Sequence, residues 1–375
     1  MNDEPTRRFP RLTWAAGAAT CVAVLGHCSP AAWIEAAYCR GAFPYVQALL
    51  VPASGLVPMP LMGVILATVP ILLPIYVWRR WRRAKASGTR SGRLLRRGAW
   101  RTAQWLLIVY ALFLVAWGLG YRRVPIETRW QLPDRALTSD DVHDVAWRLL
   151  AVLHRDHEAA SRSTGARAWA AIAAAEQALV RELEGWTPAL PRHIKHPPDG
   201  LLMAIGIYGV ISPLTLEANV DPALPTPMRL GISGHELAHL LGYCGEADAN
   251  VVAFVSGLRA DDPLARYGTA LTMVPYVMSR RHAREAQRFY ALLPQAARDD
   301  LAALHAKRQR LEVAALSQVT SAVNDRYLKS RGVELGTNDY ARGFTLFVRV
   351  FQKGLVPLPE PLASAEVEAP RPKGQ

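Results

Sequence analysis

Three long apolar runs, all before residue 121, constrain the fold of this chain most strongly. They cover about residues 12–28, 59–78 and 102–120. A helix of roughly 20 apolar residues is long enough to cross the hydrocarbon core of a bilayer. The sequence therefore predicts three transmembrane helices, with Pro70 and Pro74 kinking the second. A retained first helix is favoured over a cleaved signal peptide, because no clear small-x-small cleavage site precedes a polar mature start.

The segment between the first two runs is weakly charged. Residues 29–58 carry Glu35 and Arg40 as their only charges, together with aromatic residues that suit a membrane interface. This composition predicts an interfacial helix or a re-entrant segment, with a short ordered loop as the alternative. A disulfide between Cys28 and Cys39 is one possibility in an oxidising space, and unpaired thiols are the other.

The positive charge of the chain is concentrated in the apolar region. Of 44 Lys+Arg and 31 Asp+Glu, residues 1–120 hold 14 and 3, which leaves a nearly balanced 30 and 28 for the remainder. Ten basic residues and no acidic ones lie between Arg79 and Arg101, and the positive-inside rule places such a loop in the cytoplasm. The sequence thus predicts a multi-pass inner-membrane protein whose residues 121–375 are extracytoplasmic. This charge distribution argues against a nucleic-acid partner.

The strongest chemical signal is the sequence His-Glu-x-x-His at His235, Glu236 and His239. On a helix, residues i and i+4 share a face, so both imidazoles can reach one zinc ion at roughly 2.0–2.1 Å. Glu236 projects about 100° round the helix from His235 and is expected beside the metal. There it would serve as the general base for a zinc-activated water.

The flanking residues predict how this helix begins and ends. Ser233 and Gly234 are expected to form the N-terminal cap, and Gly242 to end the helix in a left-handed turn. A second helical pattern starts at Glu246, and a tight reversal folds Glu246 back towards the two histidines.

Glu246 is the favoured third ligand, with Asp248 and Cys244 as alternatives. Two histidines and one glutamate leave a fourth position open, which is typical of catalytic rather than structural zinc sites. Asn250 lies one turn after Glu246 and is expected either to hydrogen-bond a ligand histidine or to be a plain helix-surface residue.

The remaining chain is predicted to be largely helical. Helices are expected over about residues 139–160, capped by Ser139 and Asp140, and over 166–184, 263–280, 282–293, 296–328 and 338–353. The stretch from Gly206 to Val220 predicts two short strands. This strand pair is interpreted either as a template for an extended substrate backbone or as a purely structural hairpin. Glu217 within it either binds a substrate amine or is an ordinary strand-end carboxylate.

Tyrosines and histidines outside the His-Glu-x-x-His sequence offer further candidate roles. Three tyrosines and one histidine are candidate donors to a transition-state oxyanion, although each alone is more typical of a packing residue. These candidates are Tyr267, Tyr276, Tyr340 and His282. Four other histidines are interpreted as surface residues, namely His154, His157, His193 and His196.

The order of these features is similar to that of a known family. The matching stretches are Y-C-R-G-A-F-P near Tyr38, A-W-G-L-G-Y-R-R-V-P near Trp117, G-I-Y-G-V-I-S-P-L-T-L-E-A-N-V near Tyr208, H-E-L-A-H, G-E-A-D-A-N, R-Y-G near Tyr267 and T-N-D-Y-A-R-G near Tyr340. With these stretches the chain resembles a bacterial family of membrane zinc metallopeptidases catalogued as domain of unknown function 3810.

The resemblance implies three N-terminal membrane helices and a zincin-like catalytic domain. It also implies that His235, His239 and Glu246 are ligands and that Glu236 is the base. The Glu-x-x-Ala-Asn arrangement resembles the Glu-x-x-Ala-Asp of membrane CAAX-type and stress-response zinc proteases. Asn250 stands where those proteins carry an acid, so it offers a hydrogen-bond acceptor without the charge.

Taken together, the sequence predicts an α+β, mainly helical protein. Residues 1–120 form a membrane region, residues 121–360 a zincin-like (gluzincin-like) metallopeptidase domain, and residues 361–375 a disordered tail. The predicted function is zinc-dependent hydrolysis of a peptide or protein substrate at the lipid bilayer, with no oligomeric state assigned. The alternatives are a non-catalytic zinc-stabilised scaffold or sensor and a zinc hydrolase acting on a non-peptide amide.

Overall fold

The computed structural model describes residues 10–86 and 91–362, and most of the predicted tail (363–375) lies outside this range. The described part is mainly helical with one two-stranded sheet, as the sequence predicts. The helices of the apolar region are α1 (Pro10–Cys28), α2 (Ala31–Trp33), a π-helix (Ile34–Ala42), α3 (Phe43–Ser54), α4 (Leu61–Ala86) and α5 (Ser91–Ala116).

Two of these helices are long and apolar enough to cross a membrane. They are Leu61–Arg83 within α4 and Gly98–Ala116 within α5. Leu12–Cys28 and Ala31–Ser54 pass the same test only together, bent by 118° at their break, as in a broken span or a re-entrant loop. The fold thus contains two or three candidate spans, which is consistent with membrane association.

The segment after α1 is helical and packs against the remainder of the protein. Ile34, Phe43 and Val51 are buried in the main hydrophobic core. The amide of Gln47 donates to the carbonyl of Ala189 at 2.6 Å and accepts from its N–H at 2.9 Å. This segment is therefore part of the globular fold as well as of the apolar region.

The four cysteines carry free thiols, so Cys28 and Cys39 form no disulfide with each other in this structure. Cys39 and Cys244 are buried, whereas Cys21 and Cys28 are exposed.

A helical globular part follows a 3₁₀ turn at Gly118–Arg122. Its elements are α6 (Ile126–Arg129), α7 (Ser139–Ala160), α8 (Gly165–Glu184), α9 (Leu201–Ala204), β1 (Gly209–Ser212), β2 (Glu217–Val220), α10 (Thr226–Leu240), α11 (Glu246–Arg259), α12 (Pro263–Ser279), α13 (Ala283–Leu292), α14 (Gln295–Leu311), α15 (Ala314–Ser330) and α16 (Asp339–Gln352).

Two boundaries differ from the predicted ones. The cap of α7 is Thr138 rather than Ser139 and Asp140, because the Thr138 hydroxyl accepts from the N–H of Asp141 while the Asp141 carboxylate accepts from the N–H of Thr138. The helix predicted over 296–328 is broken between α14 and α15. There the N–H of Val313 donates to the carbonyl of Ala204 at 3.0 Å, a tertiary bond with no local sequence signal.

The core is centred on α10 and α11, which are buried along nearly their whole length. Close approach of α10 and α12 depends on two glycines. A Cβ atom on Gly231 would lie 2.4 Å from Thr272 Cγ2, and one on Gly268 would lie 2.5 Å from the carbonyl oxygen of Pro227. The two helices therefore pack with backbone almost in contact.

The two strands pair antiparallel, with Gly209 opposite Val220. On its other side β2 bonds to Lys195, whose N–H donates to Ala218 and whose carbonyl accepts from Val220, both at 2.9 Å. The sheet of the described residues thus leaves the outer side of β1 as a free edge.

Glu217 connects this sheet to α4. Its buried carboxylate is paired with Lys195 and accepts from the N–H groups of Leu61 at 3.1 Å and Met62 at 2.8 Å. These are unpaired donors of the first turn of α4, and a carboxylate there is favourable. Glu217 therefore has a structural role, which favours the strand-end interpretation over a substrate-amine contact.

Glu176 on α8 is fully buried, and neither carboxyl oxygen has a hydrogen-bond partner among the described residues. Burial raises its pKa well above the ordinary 4.5. The folded protein therefore keeps the proton that the unfolded chain releases above that pH, so the free energy of unfolding falls as pH rises.

We expect Glu176→Gln, which cannot ionise, to be more stable than the wild type at pH 8 and nearly equal to it at pH 4.5. The difference should grow by roughly 1.4 kcal/mol for each pH unit above 4.5, until the pKa of the folded state is reached. Melting temperatures of both proteins across this pH range in one detergent test it. If the difference in melting temperature between the two proteins does not change with pH, the Glu176 carboxyl is not buried in its protonated form.

Candidate metal centre

Helix α10 carries the His-Glu-x-x-His sequence in its last two turns. It begins at Thr226, so the predicted cap at Ser233 and Gly234 is wrong. Pro227 occupies the first turn, where proline is tolerated because its missing N–H has no partner to lose. Gly234 instead lies inside the helix, where α8 and α11 pack against it.

The end of α10 is the predicted left-handed turn at Gly242, which has φ +91°. The N–H of Gly242 donates to the carbonyl of His239 at 2.9 Å, and that of Tyr243 to Ala238 at 3.2 Å. This is the Schellman arrangement, which satisfies the last carbonyls of a helix. The chain then reverses, and α11 begins at Glu246.

The reversal brings His235, His239 and Glu246 together. Their ligand atoms all lie within 4.8 Å of one another. Glu246 Oε2 is 3.2 Å from His235 Nε2 and 3.3 Å from His239 Nε2. Despite these separations, Glu246 Oε2 has no partner with hydrogen-bond geometry among the described residues. The three groups thus converge on a common point, and the cluster can hold a metal ion.

His239 is held by two neighbours. Its Nδ1 lies 2.7 Å from the carbonyl oxygen of Tyr243, and because a carbonyl only accepts, Nδ1 carries the proton. In the neutral ring, Nε2 then keeps its lone pair towards Glu246, as in histidine ligands oriented by a backbone carbonyl. The ring of Trp117 packs edge-on against His239 at 5.6 Å between centroids.

His235 lies between Asn250 and Tyr340. The ring of Tyr340 stacks on it with centroids 6.1 Å apart. Burial lowers the pKa of His235, while interaction with Glu246 and with the Asn250 side chain opposes that shift. The Asn250 amide also donates to the carbonyl of Tyr340 at 3.1 Å. Asn250 is therefore buried at the cluster and is not a surface residue.

Glu236 is buried beside the cluster, with Oε2 unpaired among the described residues. Burial raises the pKa of its carboxyl to about 8, with the charge of His239 opposing and that of Glu246 adding to the shift. Strand β1 passes against it. A Cβ atom on Gly209 would lie 2.5 Å from Glu236 Oε1, so only glycine leaves room for the carboxylate.

The alternative third ligands point elsewhere. Asp248 Oδ2 faces Arg129 at 3.4 Å. The Cys244 thiol lies 3.4 Å from the carbonyl oxygen of Trp117, and burial raises its pKa well above the ordinary value. The cluster is thus formed with Glu246 rather than with either alternative.

The four oxyanion candidates separate in space. Tyr340 lies on the cluster, and Tyr276 is close to it, with its hydroxyl 3.4 Å from Asn250 Nδ2. The Tyr267 hydroxyl instead donates to Asp300 at 2.7 Å. His282 is exposed at the residue before α13.

Three of the four histidines predicted to be surface residues bond to backbone carbonyls away from the cluster. His154 faces Leu292 O at 2.8 Å, and His157 faces the carbonyl of His154 at 2.8 Å. His196 faces Val220 O at 2.9 Å, whereas His193 is exposed. These contacts agree with ordinary structural histidines.

A buried ion cluster lies beneath the reversal, and no sequence pattern indicates it. Glu184 at the end of α8 is paired with Arg129 and accepts from Arg123 at 3.1 Å and from the Tyr243 hydroxyl at 3.1 Å. Arg123 also donates to the carbonyl of Gly242 at 3.3 Å. Burial disfavours the charge of Arg123, but hydrogen bonding to Glu35 and the charge of Glu184 raise its pKa. This ion cluster, which is separate from the metal cluster, therefore holds the loop that sets the position of Glu246.

A family model for proteins of unknown function, DUF3810, matches residues 38–348. The chain belongs to the DUF3810 family. The match covers the segment after α1 from residue 38 onward, the candidate spans Leu61–Arg83 and Gly98–Ala116, the hairpin and all three residues of the candidate metal cluster. Comparison with curated proteins and with solved structures finds no significant match.

In this DUF3810 protein we expect Glu246→Gln to lower zinc affinity by more than about 100-fold, since a charged ligand is lost rather than an outer partner. Asp248→Asn is the matched control, because it removes a carboxylate two residues away that faces Arg129. Metal analysis of the purified proteins after dialysis against buffered zinc measures occupancy. Retained zinc in Glu246→Gln with loss in Asp248→Asn would assign the third ligand to Asp248.

Proposed function

We propose that this DUF3810 protein is a membrane-anchored zinc metallopeptidase of the gluzincin type. One observation carries the proposal. His235, His239 and Glu246 converge on one point beside Glu236, a buried carboxyl with an unpaired oxygen. A closed structural zinc site has no need of such a base.

The donor set fits zinc in kind and in spacing. Two imidazoles and a carboxylate are a common catalytic zinc set. Zinc bonds of about 2.0–2.1 Å in a tetrahedron separate the ligand atoms by roughly 3.3–3.4 Å. The distances from Glu246 Oε2 to the two histidine Nε2 atoms are 3.2 and 3.3 Å. The described residues offer three ligands, which supports an open fourth position over the scaffold alternative.

The bound zinc would act as a Lewis acid and lower the pKa of water. Glu236 is proposed as the general base that takes a proton from the attacking water and passes it to the leaving amine. Its burial suits the first of these tasks, because a desolvated carboxylate is a stronger base than an exposed one. Tyr340, stacked on His235, is the proposed donor to the developing oxyanion.

The free edge of β1 supports a peptide substrate. Ala218 and Val220 direct their backbone groups to Lys195. Their partners in register, Ile211 and Gly209, therefore also turn their N–H and C=O groups away from β2. An extended peptide can pair with this edge, and Gly209 would bring it next to Glu236.

The orientation in the membrane is part of the proposal. Helix α4 starts at Leu61 beside the hairpin, and α5 ends at Ala116 before the turn that enters the globular part. Their other ends carry the basic stretch from Arg79 to Arg101. The positive-inside rule then assigns that stretch to the cytoplasm and the globular part to the extracytoplasmic side.

We expect Glu236→Gln to retain zinc and to lower peptide turnover by about 10²–10⁴-fold, the usual contribution of a general base. Cleavage of a peptide library by purified wild type and variant, with zinc content measured on both, checks this. Undiminished hydrolysis by the variant would contradict the assigned base. Zinc binding with no peptide cleavage by the wild type would favour the scaffold or the non-peptide amide hydrolase.

Gly209→Ala probes the contact between β1 and Glu236. The added methyl group would lie 2.5 Å from Oε1 and 2.9 Å from Cδ of Glu236, so the carboxylate must move. We expect kcat/KM to fall about 100-fold with zinc content unchanged. Val210→Ala, which trims an exposed side chain on the same strand, should leave kcat/KM near that of the wild type. If both variants are equally active, the catalytic position of the Glu236 carboxylate does not depend on its contact with Gly209.

A further inference from the structure

A cavity of about 200 Å³ lies where the candidate membrane helices enter the globular part. It is bounded by the end of α1, by the turn after α5 and by the residues after α15. His27, Tyr121, Arg122 and Arg331 contribute to its wall. One water molecule needs about 10–15 Å³ of such space, so the cavity has room for a larger group.

The two arginines in this wall lack acidic partners. Within residues 10–86 and 91–362, no carboxylate oxygen lies within 4.0 Å of the Arg122 or Arg331 guanidinium. Arg122 donates instead to the carbonyl of Gly26. Arg331 donates to the Tyr110 hydroxyl at 3.3 Å, and its buried Nε has no partner in this part of the chain. Two such charges at one cavity favour an anionic ligand.

Aromatic rings fix the direction of Arg331. Its guanidinium carbon lies 5.2 Å from the ring centroid of Phe113, 5.6 Å from Tyr110 and 5.8 Å from Tyr327. The Tyr110 hydroxyl is also 2.7 Å from His27 Nε2. The arginine is therefore held in place before any ligand arrives, and little side-chain entropy remains to be lost on binding.

The position of the cavity along the candidate membrane span indicates which anion it can bind. The candidate span Gly98–Ala116 ends just before the 3₁₀ turn that carries Tyr121 and Arg122. Lipid phosphates lie just outside the hydrocarbon core, at the end of such a span. The planar guanidinium group matches the oxygens of a phosphate and can bind them in pairs.

We propose that this cavity binds a phosphate group at the membrane surface, through Arg122 and Arg331. The phosphate can belong to an anionic phospholipid headgroup or be free inorganic phosphate. This inference is independent of the proposed peptidase activity, since none of the three metal-cluster residues contributes to the cavity wall.

The test is calorimetric titration of the full-length protein in a phosphate-free neutral detergent. The ligands are dioctanoyl phosphatidylglycerol, dioctanoyl phosphatidylcholine and inorganic phosphate. The variants are Arg122→Gln and Arg331→Gln, and Arg288→Gln, an exposed arginine on α13, is the matched control. Melting curves identify any variant that does not fold. If Arg331→Gln unfolds, because it leaves the three rings without their cation, Arg122→Gln decides.

We expect one saturable site whose affinity falls about ten-fold or more in Arg122→Gln and is unchanged in Arg288→Gln. Tighter binding of phosphatidylglycerol than of phosphatidylcholine, with competition by phosphate, identifies a lipid headgroup. Binding of inorganic phosphate alone identifies the free anion. Absence of saturable binding by all three ligands overturns the proposal. Wild-type affinity in Arg122→Gln, or in a folded Arg331→Gln, overturns it as well.

Discussion

The ion pairs of Glu184 with Arg123 and Arg129 lie buried beneath the turn between α10 and α11, and they hold the loop that joins two sides of the candidate metal cluster. The sequence puts His239 and Glu246 on two different helices, so their distance depends on the loop between these helices as well as on helix packing. Glu184 binds that loop through Tyr243, and Arg123 and Arg129 neutralise the carboxylate. Removing one partner of a buried ion cluster typically costs about 3–5 kcal/mol, because the remaining charge is left uncompensated. In this protein, such a loss would release the loop that positions Glu246, the proposed third ligand.

The local part of the site could be predicted from the sequence, because helix and turn geometry are local. The period of α10 places His235 and His239 on one face, and the glycine at 242 predicts the reversal. The contacts that hold these groups come from distant positions. Trp117 and Glu184 reach the cluster from other elements, and no spacing within the chain indicates that they would.

The two wrong helix boundaries have different origins, one local and one tertiary. The predicted cap at Ser233 and Gly234 fails because the apolar residues of α10 extend upstream to a proline-containing first turn. The break between α14 and α15 contains neither glycine nor proline, and it follows from one backbone bond between Val313 and Ala204. Membership of DUF3810 agrees with the order of the stretches near Tyr38, Trp117 and Tyr340, since the matched region includes all three.

The carboxylate of Glu217 connects the sheet to the start of α4, a candidate membrane span. It holds the first two N–H groups of α4, and it is also the first residue of β2. For a chain anchored in a bilayer through α4, hydrophobic mismatch is relieved by tilting that helix. A tilt that moves Leu61 and Met62 either pulls β2 along or breaks both bonds. Under the proposed membrane anchoring, a change in bilayer thickness would therefore be transmitted through Glu217 to the hairpin, and from Gly209 of that hairpin to Glu236.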